Sequence, residues 1–205
     1  MKLKQHIFLI GFMGCGKSTN AARLSELTGA GRLEMDEEIV KRQGMEIRDI
    51  FSRFGEEFFR DLETGLIAEL ETAEPLVISC GGGAVLREQN VRMMKKMGKI
   101  VLLTADPETI YERIKDSTDR PVLNGHMNPE YIRMLMEKRR NRYEAAADFS
   151  VSTDRKTADV ICREILALAA EQEEQRQRHL SGDITGQENE KRTKRNGDTK
   201  EDSVI

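Results

Sequence analysis

Eight residues near the amino terminus limit this chain more than any other feature: Gly11-Phe12-Met13-Gly14-Cys15-Gly16-Lys17-Ser18, a fit to G-x-x-x-x-G-K-[ST]. A short apolar run, His6 to Ile10, precedes them. Lys17 to Leu27 follows as an expected helix, with Ala21, Leu24 and Leu27 on one face. In that context the motif has a mechanism. The glycines let the backbone fold tightly, so successive N–H groups converge on phosphate oxygens. The helix start adds its positive dipole end. Lys17 then reaches the β- and γ-phosphates, and the Ser18 hydroxyl helps to hold Mg²⁺. An incidental glycine turn is the competing reading, and the flanking strand and helix weigh against it. The motif implies ATP or GTP with magnesium and leaves the acceptor open.

The rest of the chain alternates in the same way. Gly31 to Met35 reads as a second strand. Short helices over Glu37 to Gln43 and Glu46 to Phe54 break at Gly44, and a longer one runs from Glu56 to Thr72. Pro75 to Cys80 is a third strand running into Gly81-Gly82-Gly83. Helix Arg87 to Met97, strand Lys99 to Leu103 and a helix opening at Asp106-Pro107 follow. Residues 116–127 read as an exposed loop. Then come helix Pro129 to Ala147, strand Phe149 to Val151 and helix Thr157 to Ala170. Alternating strands and helices predict an α/β class and a three-layer P-loop NTPase fold. Its five-stranded parallel sheet has helices on both faces. Residues 1–170 form the expected domain. Residues 171–205 hold no aromatic side chain and are dominated by polar and charged ones, which predicts a disordered tail or a frayed helix leading into one.

Composition removes other classes. A net charge of −3 and a pI near 5.8 give no general pull towards nucleic acid or anionic membranes. The three cysteines, Cys15, Cys80 and Cys162, are widely spaced and contain no Cys-x-x-Cys pair. They suggest reduced thiols in a cytoplasm. No stretch has the length and apolarity of a membrane span.

Beyond the first motif, the stretch GFMGCGKST resembles shikimate kinases, with Cys15 where that family commonly has alanine. Further matches keep family-like order. They are Leu33-Glu34-Met35-Asp36 after the second strand, Gly55-Glu56 and Phe59-Arg60-Asp61-Leu62-Glu63, and the triple glycine. Later come Arg113, Arg120-Pro121-Val122-Leu123, and Arg139 four residues before Tyr143. The resemblance spans about residues 5 to 165.

It implies transfer of the ATP γ-phosphate to the 3-hydroxyl of shikimate, a step towards chorismate and the aromatic amino acids, by a cytoplasmic monomer using Mg²⁺, with 116–127 as a mobile lid. By resemblance, Gly14, Cys15, Gly16, Lys17, Ser18 and Thr19 bind ATP phosphates. Arg113 lies against adenine, and Lys156, or Arg155 beside it, covers the other face. Asp36 orients the acceptor hydroxyl and takes its proton. Arg60 and Arg139 clamp the substrate carboxylate, with Arg140 and Arg142 as competitors for the second place. Gly81, Gly82 and Gly83 let backbone approach the substrate ring. Arg120 acts as an arginine finger. Ser18 and, through water, Glu34 hold the metal; Glu34 stands where aspartate is usual. Taken alone, Arg60 reads as a solvated helix arginine paired with Glu56, Glu57 or Glu63. Two other readings share the phosphate cradle: a gluconate or nucleoside monophosphate kinase, and a nucleotide-binding regulatory protein without catalysis.

Overall fold

The structure, a computed structural model, describes residues 2–115 and 128–197, with side chains up to residue 178 except 176. The expected lid, 116–127, and Arg120 within it lie outside the described residues. The chain divides into one unit over Met1–Ile165 and another over Leu166–Ile205.

The first unit is built on a five-stranded sheet with the order β2-β3-β1-β4-β5. The strands are β1 (His6–Ile10), β2 (Gly31–Glu34), β3 (Leu76–Ser79), β4 (Gly98–Thr104) and β5 (Phe149–Ser152). Every pairing is parallel. All five residues of β1 are buried, as expected for a strand covered on both faces. The helices between strands are α1 (Lys17–Thr28), α2 (Met35–Gln43), α3 (Ile47–Glu69), α4 (Glu88–Met97), α5 (Pro107–Ile114) and α6 (Pro129–Ala146). α7 (Ala158–Gly197) follows β5.

Two consequences matter for the site. β1 leads through α1 to β2 on one side, whereas β3 leads through α4 to β4 on the other. The carboxyl ends of β1 and β3 therefore flank the point where the winding reverses, which is where open α/β sheets bind ligands. The phosphate motif follows β1 and the triple glycine follows β3. Second, α3 is interrupted at Gly55, whose φ of 84° and ψ of 170° are not helical. The two helices expected on either side of Gly55 are therefore both present, and they meet at a kink that a side chain would strain.

The core on α3 and its neighbours comprises Met35, Ile39, Ile50, Phe59, Leu66, Ile67, Leu70, Ile78, Met94 and Ile100 among others. Met35 opens α2 and does not close β2, because Asp36, Glu37 and Glu38 fall in a first turn that favours acids. α7 continues beyond the expected end at Ala170. Residues past that point are mostly strong helix formers, and pairs four apart, such as Glu174–Arg178 at 3.6 Å, support the helix.

Candidate active site

The loop after β1 owes its shape to backbone that only glycine adopts readily. Gly11, Gly14 and Gly16 have φ of 139°, 74° and 92°. Space is short as well: a Cβ on Gly14 would lie 2.9 Å from Ile114 Cγ2, and one on Gly16 3.1 Å from Asn20 Nδ2. Asn20 Nδ2 donates to Gly16 O at 2.8 Å, tying the loop to α1. Lys17 Nζ donates to Gly11 O at 3.0 Å and Phe12 O at 3.1 Å, so the ammonium is held over the loop. Cys15 is 1% exposed. Burial pushes its thiol pKa up, with Lys17 and Arg113 pulling the other way. It fills space behind the loop and is a poor nucleophile.

Beside the cradle, Ser18 Oγ donates to Glu34 Oε2 at 3.0 Å. The other oxygen, Glu34 Oε1, is buried without a hydrogen-bond partner. Arg32 Nη1 lies 3.9 Å from it, near enough for attraction but too far for a hydrogen bond. Asp36, in the first turn of α2, stands across Gly81: a Cβ there would lie 2.7 Å from Asp36 Oδ1 and 2.6 Å from Glu63 Oε1.

Arg60 and Glu63 sit one turn apart on α3, past the Gly55 kink. Arg60 Nη1 donates to Glu63 Oε2, and Nη2 to Glu56 Oε1, both at 2.7 Å. Only 11% of the Arg60 side chain is exposed, and its guanidinium lies over the Phe51 and Phe59 rings at 6.0 and 5.4 Å. The expected pairing with glutamates is present, but the arginine is not a solvated one. Burial draws the Arg60 pKa down, and Glu63 and Glu56 more than offset it, leaving it above its ordinary value. Glu63 is wholly buried, and that burial raises its pKa despite the opposing pull of Arg60. The pair responds unequally because Arg60 has a second carboxylate and Glu63 has one unpaired oxygen, Oε1.

α6 completes this end. Tyr143 Oη donates to Gly82 O at 2.6 Å. Arg139 Nη1 lies 3.9 Å from where a Cβ on Gly82 would be. Arg140 pairs with Glu137, and Arg142 Nη1 donates to Leu86 O at 3.4 Å. Arg139 alone of the three lines the cavity described below.

At the opposite end, Arg113 Nη1 donates to Gly14 O at 3.1 Å and Thr153 Oγ1 at 3.0 Å, and its Nη2 to Thr153 O at 3.0 Å. Lys156 Nζ donates to Glu164 Oε2 at 2.6 Å. Lys156, and not Arg155, lines the cavity.

One cavity of about 760 Å³ joins the two ends. Lys17, Ser18, Glu34, Asp36, Arg60 and Arg139 open into it, and so do Thr19, Gly82, Gly83, Arg113 and Lys156. Cys15 and Gly81 back it from outside that lining; Arg120 lies outside the described residues. Glu63, Asn20 and Thr153 are the additions that sequence reasoning missed. A signal for Glu63 was present. It falls four after Phe59 and four before Ile67, on the apolar stripe of α3, where a carboxylate is buried and needs a cation.

A glycine-rich cradle after β1, a Lys-Ser pair at its helix and a second, arginine-lined end to the same cavity define a P-loop kinase. The family model described as shikimate kinase matches residues 13–170, and the chain belongs to the shikimate kinase family. It is 40% identical to the shikimate kinase of Thermodesulfovibrio yellowstonii over 162 residues, covering 79% of this chain and 93% of that protein. It is 41% identical to that of Persephonella marina over 162 residues, with 79% and 97% covered. The fold is similar to shikimate kinase from Acinetobacter baumannii in complex with shikimate, with a TM-score of 0.76 and 32% identity, covering 82% of this chain and 94% of that one.

Proposed function

We propose that this enzyme transfers the γ-phosphoryl group of ATP to the 3-hydroxyl of shikimate, giving shikimate 3-phosphate and ADP on the route to chorismate. One observation carries the reading: Lys17 and Ser18 share a single cavity with Asp36, Arg60 and Arg139. A phosphate chain gripped at one end therefore faces an acidic polyol gripped at the other.

The residues divide the work. Backbone N–H groups of Gly14 to Thr19, with Lys17, hold the phosphates, and Arg113 and Lys156 flank the adenine. Arg60 and Arg139 hold the shikimate carboxylate, which brings a compensating anion to two guanidiniums in a partly dry site. Gly81, Gly82 and Gly83 allow the ring close to the backbone. The Asp36 carboxylate accepts the proton of the 3-hydroxyl as that oxygen bonds to γ-phosphorus; the bond from γ-phosphorus to the bridging oxygen breaks and ADP leaves. Arg120 is assigned to neutralising charge on the transferring group. Placement and charge neutralisation supply most of the acceleration.

Ser18 and Glu34 fit a divalent cation, because Glu34 Oε1 is a buried carboxylate oxygen that otherwise has no hydrogen-bond partner. Mg²⁺ bound there lowers the charge on the β- and γ-phosphates. Three free buried thiols and a demand for ATP suit a reducing cytoplasm. Among the described residues no helix is long and apolar enough to cross a membrane. We assign catalysis to a monomer through residues 1–170 and none of it to 171–205.

An acceptor screen by ADP release tests the reading. Shikimate gives turnover, while D-gluconate and nucleoside monophosphates give only background. Turnover on either of the latter, with none on shikimate, contradicts it.

A further inference from the structure

The spacing between Ser18 and Glu34 has a consequence for the metal. Two ligands at neighbouring corners of an octahedron are separated by √2 times the metal–oxygen distance, about 3.0 Å for Mg²⁺ and about 3.3–3.7 Å for Ca²⁺. Ser18 Oγ and Glu34 Oε2 are 3.0 Å apart. The Glu34 side chain is 10% exposed, and its Oε1 is buried with no hydrogen-bond partner. The described residues contain no group of three or more His, Cys, Asp or Glu side chains able to hold a metal, so other oxygens must complete the shell. An aspartate on the same backbone would end one methylene short of this position.

From these observations we infer that Glu34 is a direct ligand of the divalent cation, in contact with it alongside Ser18 rather than through a water. This rests on the phosphotransferase reading above and adds a particular of this chain: the longer carboxylate takes the place of one metal-bound water. Three consequences follow from that contact. The carboxylate charge lies one bond from the cation, so affinity depends on it steeply. The ion keeps one water fewer than it would with a shorter side chain. The pre-set 3.0 Å edge favours Mg²⁺ and Mn²⁺ over the larger Ca²⁺.

Mn²⁺ with ADP is the probe. Electron paramagnetic resonance in ¹⁷O-enriched water counts the waters on bound Mn²⁺ in the full chain and in Glu34→Asp. The inference expects one fewer water in the parent than in Glu34→Asp. Equal counts overturn it. Glu34→Gln, which keeps the length and removes the charge, gives a second measure. Mn²⁺ affinity in the presence of ADP is expected to fall at least about tenfold, the least that loss even of an outer-shell partner costs, and an unchanged affinity overturns the inference. If the parent binds ADP but no Mn²⁺ beside it, the metal-assisted reading of the whole site fails, which is a different result from equal water counts.

Discussion

The Arg60 guanidinium packs directly against the α-carbon of Gly83. A methyl group there would overlap it, with Nη2 2.5 Å from the added carbon. The φ of Gly83 is −109°, so alanine meets no backbone strain, only the guanidinium. Gly83→Ala must therefore push Arg60 away from its place. The shikimate KM is expected to rise at least about tenfold, a loss near 1.4 kcal/mol of binding, while the KM for ATP changes by less than about twofold. Steady-state kinetics with each substrate varied in turn checks this.

Arg60→Lys separates charge from geometry. Lysine keeps the positive charge and loses the planar fork that spans Glu63, Glu56 and an incoming carboxylate. We expect the shikimate KM to rise by about ten- to a hundredfold, the range that loss of a charge-assisted pair implies. A lysine variant indistinguishable from the parent would mean that Arg60 does not hold the carboxylate.

Glu63 ties stability to pH. Its folded-state pKa is raised above the ordinary 4.5 by burial, so the native protein holds a proton that the unfolded chain releases. That stabilisation is complete below about pH 4.5 and is lost as pH rises through the higher folded value. Denaturant unfolding across this window should show a falling contribution in the parent that Glu63→Gln lacks. The difference between the two proteins isolates Glu63 from half-buried carboxylates such as Glu38 and Asp159, whose pKa values are lowered by the arginines paired with them.

Tyr143→Phe removes the hydroxyl that holds Gly82 O at 2.6 Å. The unfolding free energy should drop by about 1–3 kcal/mol, because a carbonyl loses its partner in a partly buried place. The shikimate KM should rise with it, since Gly82 lines the cavity beside Arg139.

The thiols should be silent in the native protein. Cys15, Cys80 and Cys162 are all buried, and burial raises all three pKa values, that of Cys162 to about 11. A thiol-reactive dye at pH 8 should label none of them within minutes and all three in denaturant. Fast labelling of Cys15 would show that the phosphate loop opens.

Much of this was legible in the sequence because it depends on local rules. The phosphate loop is a matter of glycine at three left-handed positions and a lysine at a helix start, and all of it lies within eight residues. Strands β1, β3 and β4 were visible as short apolar runs, and the kink at Gly55 as a glycine between two helical patterns. What stayed hidden depends on contacts far apart in the chain. Arg139 could not be told from Arg140 and Arg142 by spacing, because only the packing of α6 decides which guanidinium enters the cavity. Glu63 read as one of several acids near Arg60, and only the packing of α3 against the chain around Gly81 shows that it faces the site. The length of α7 was underestimated because helix propensity, not an apolar stripe, extends it.

The central claim is that one cavity aligns ATP with the 3-hydroxyl of shikimate. Phosphorus–proton correlation NMR on the product of a single incubation with ATP and shikimate tests it most directly. The account predicts a phosphate coupled to the proton on C3 and formed in step with ADP. A phosphate on another carbon, or ADP without any phosphorylated shikimate, would contradict it.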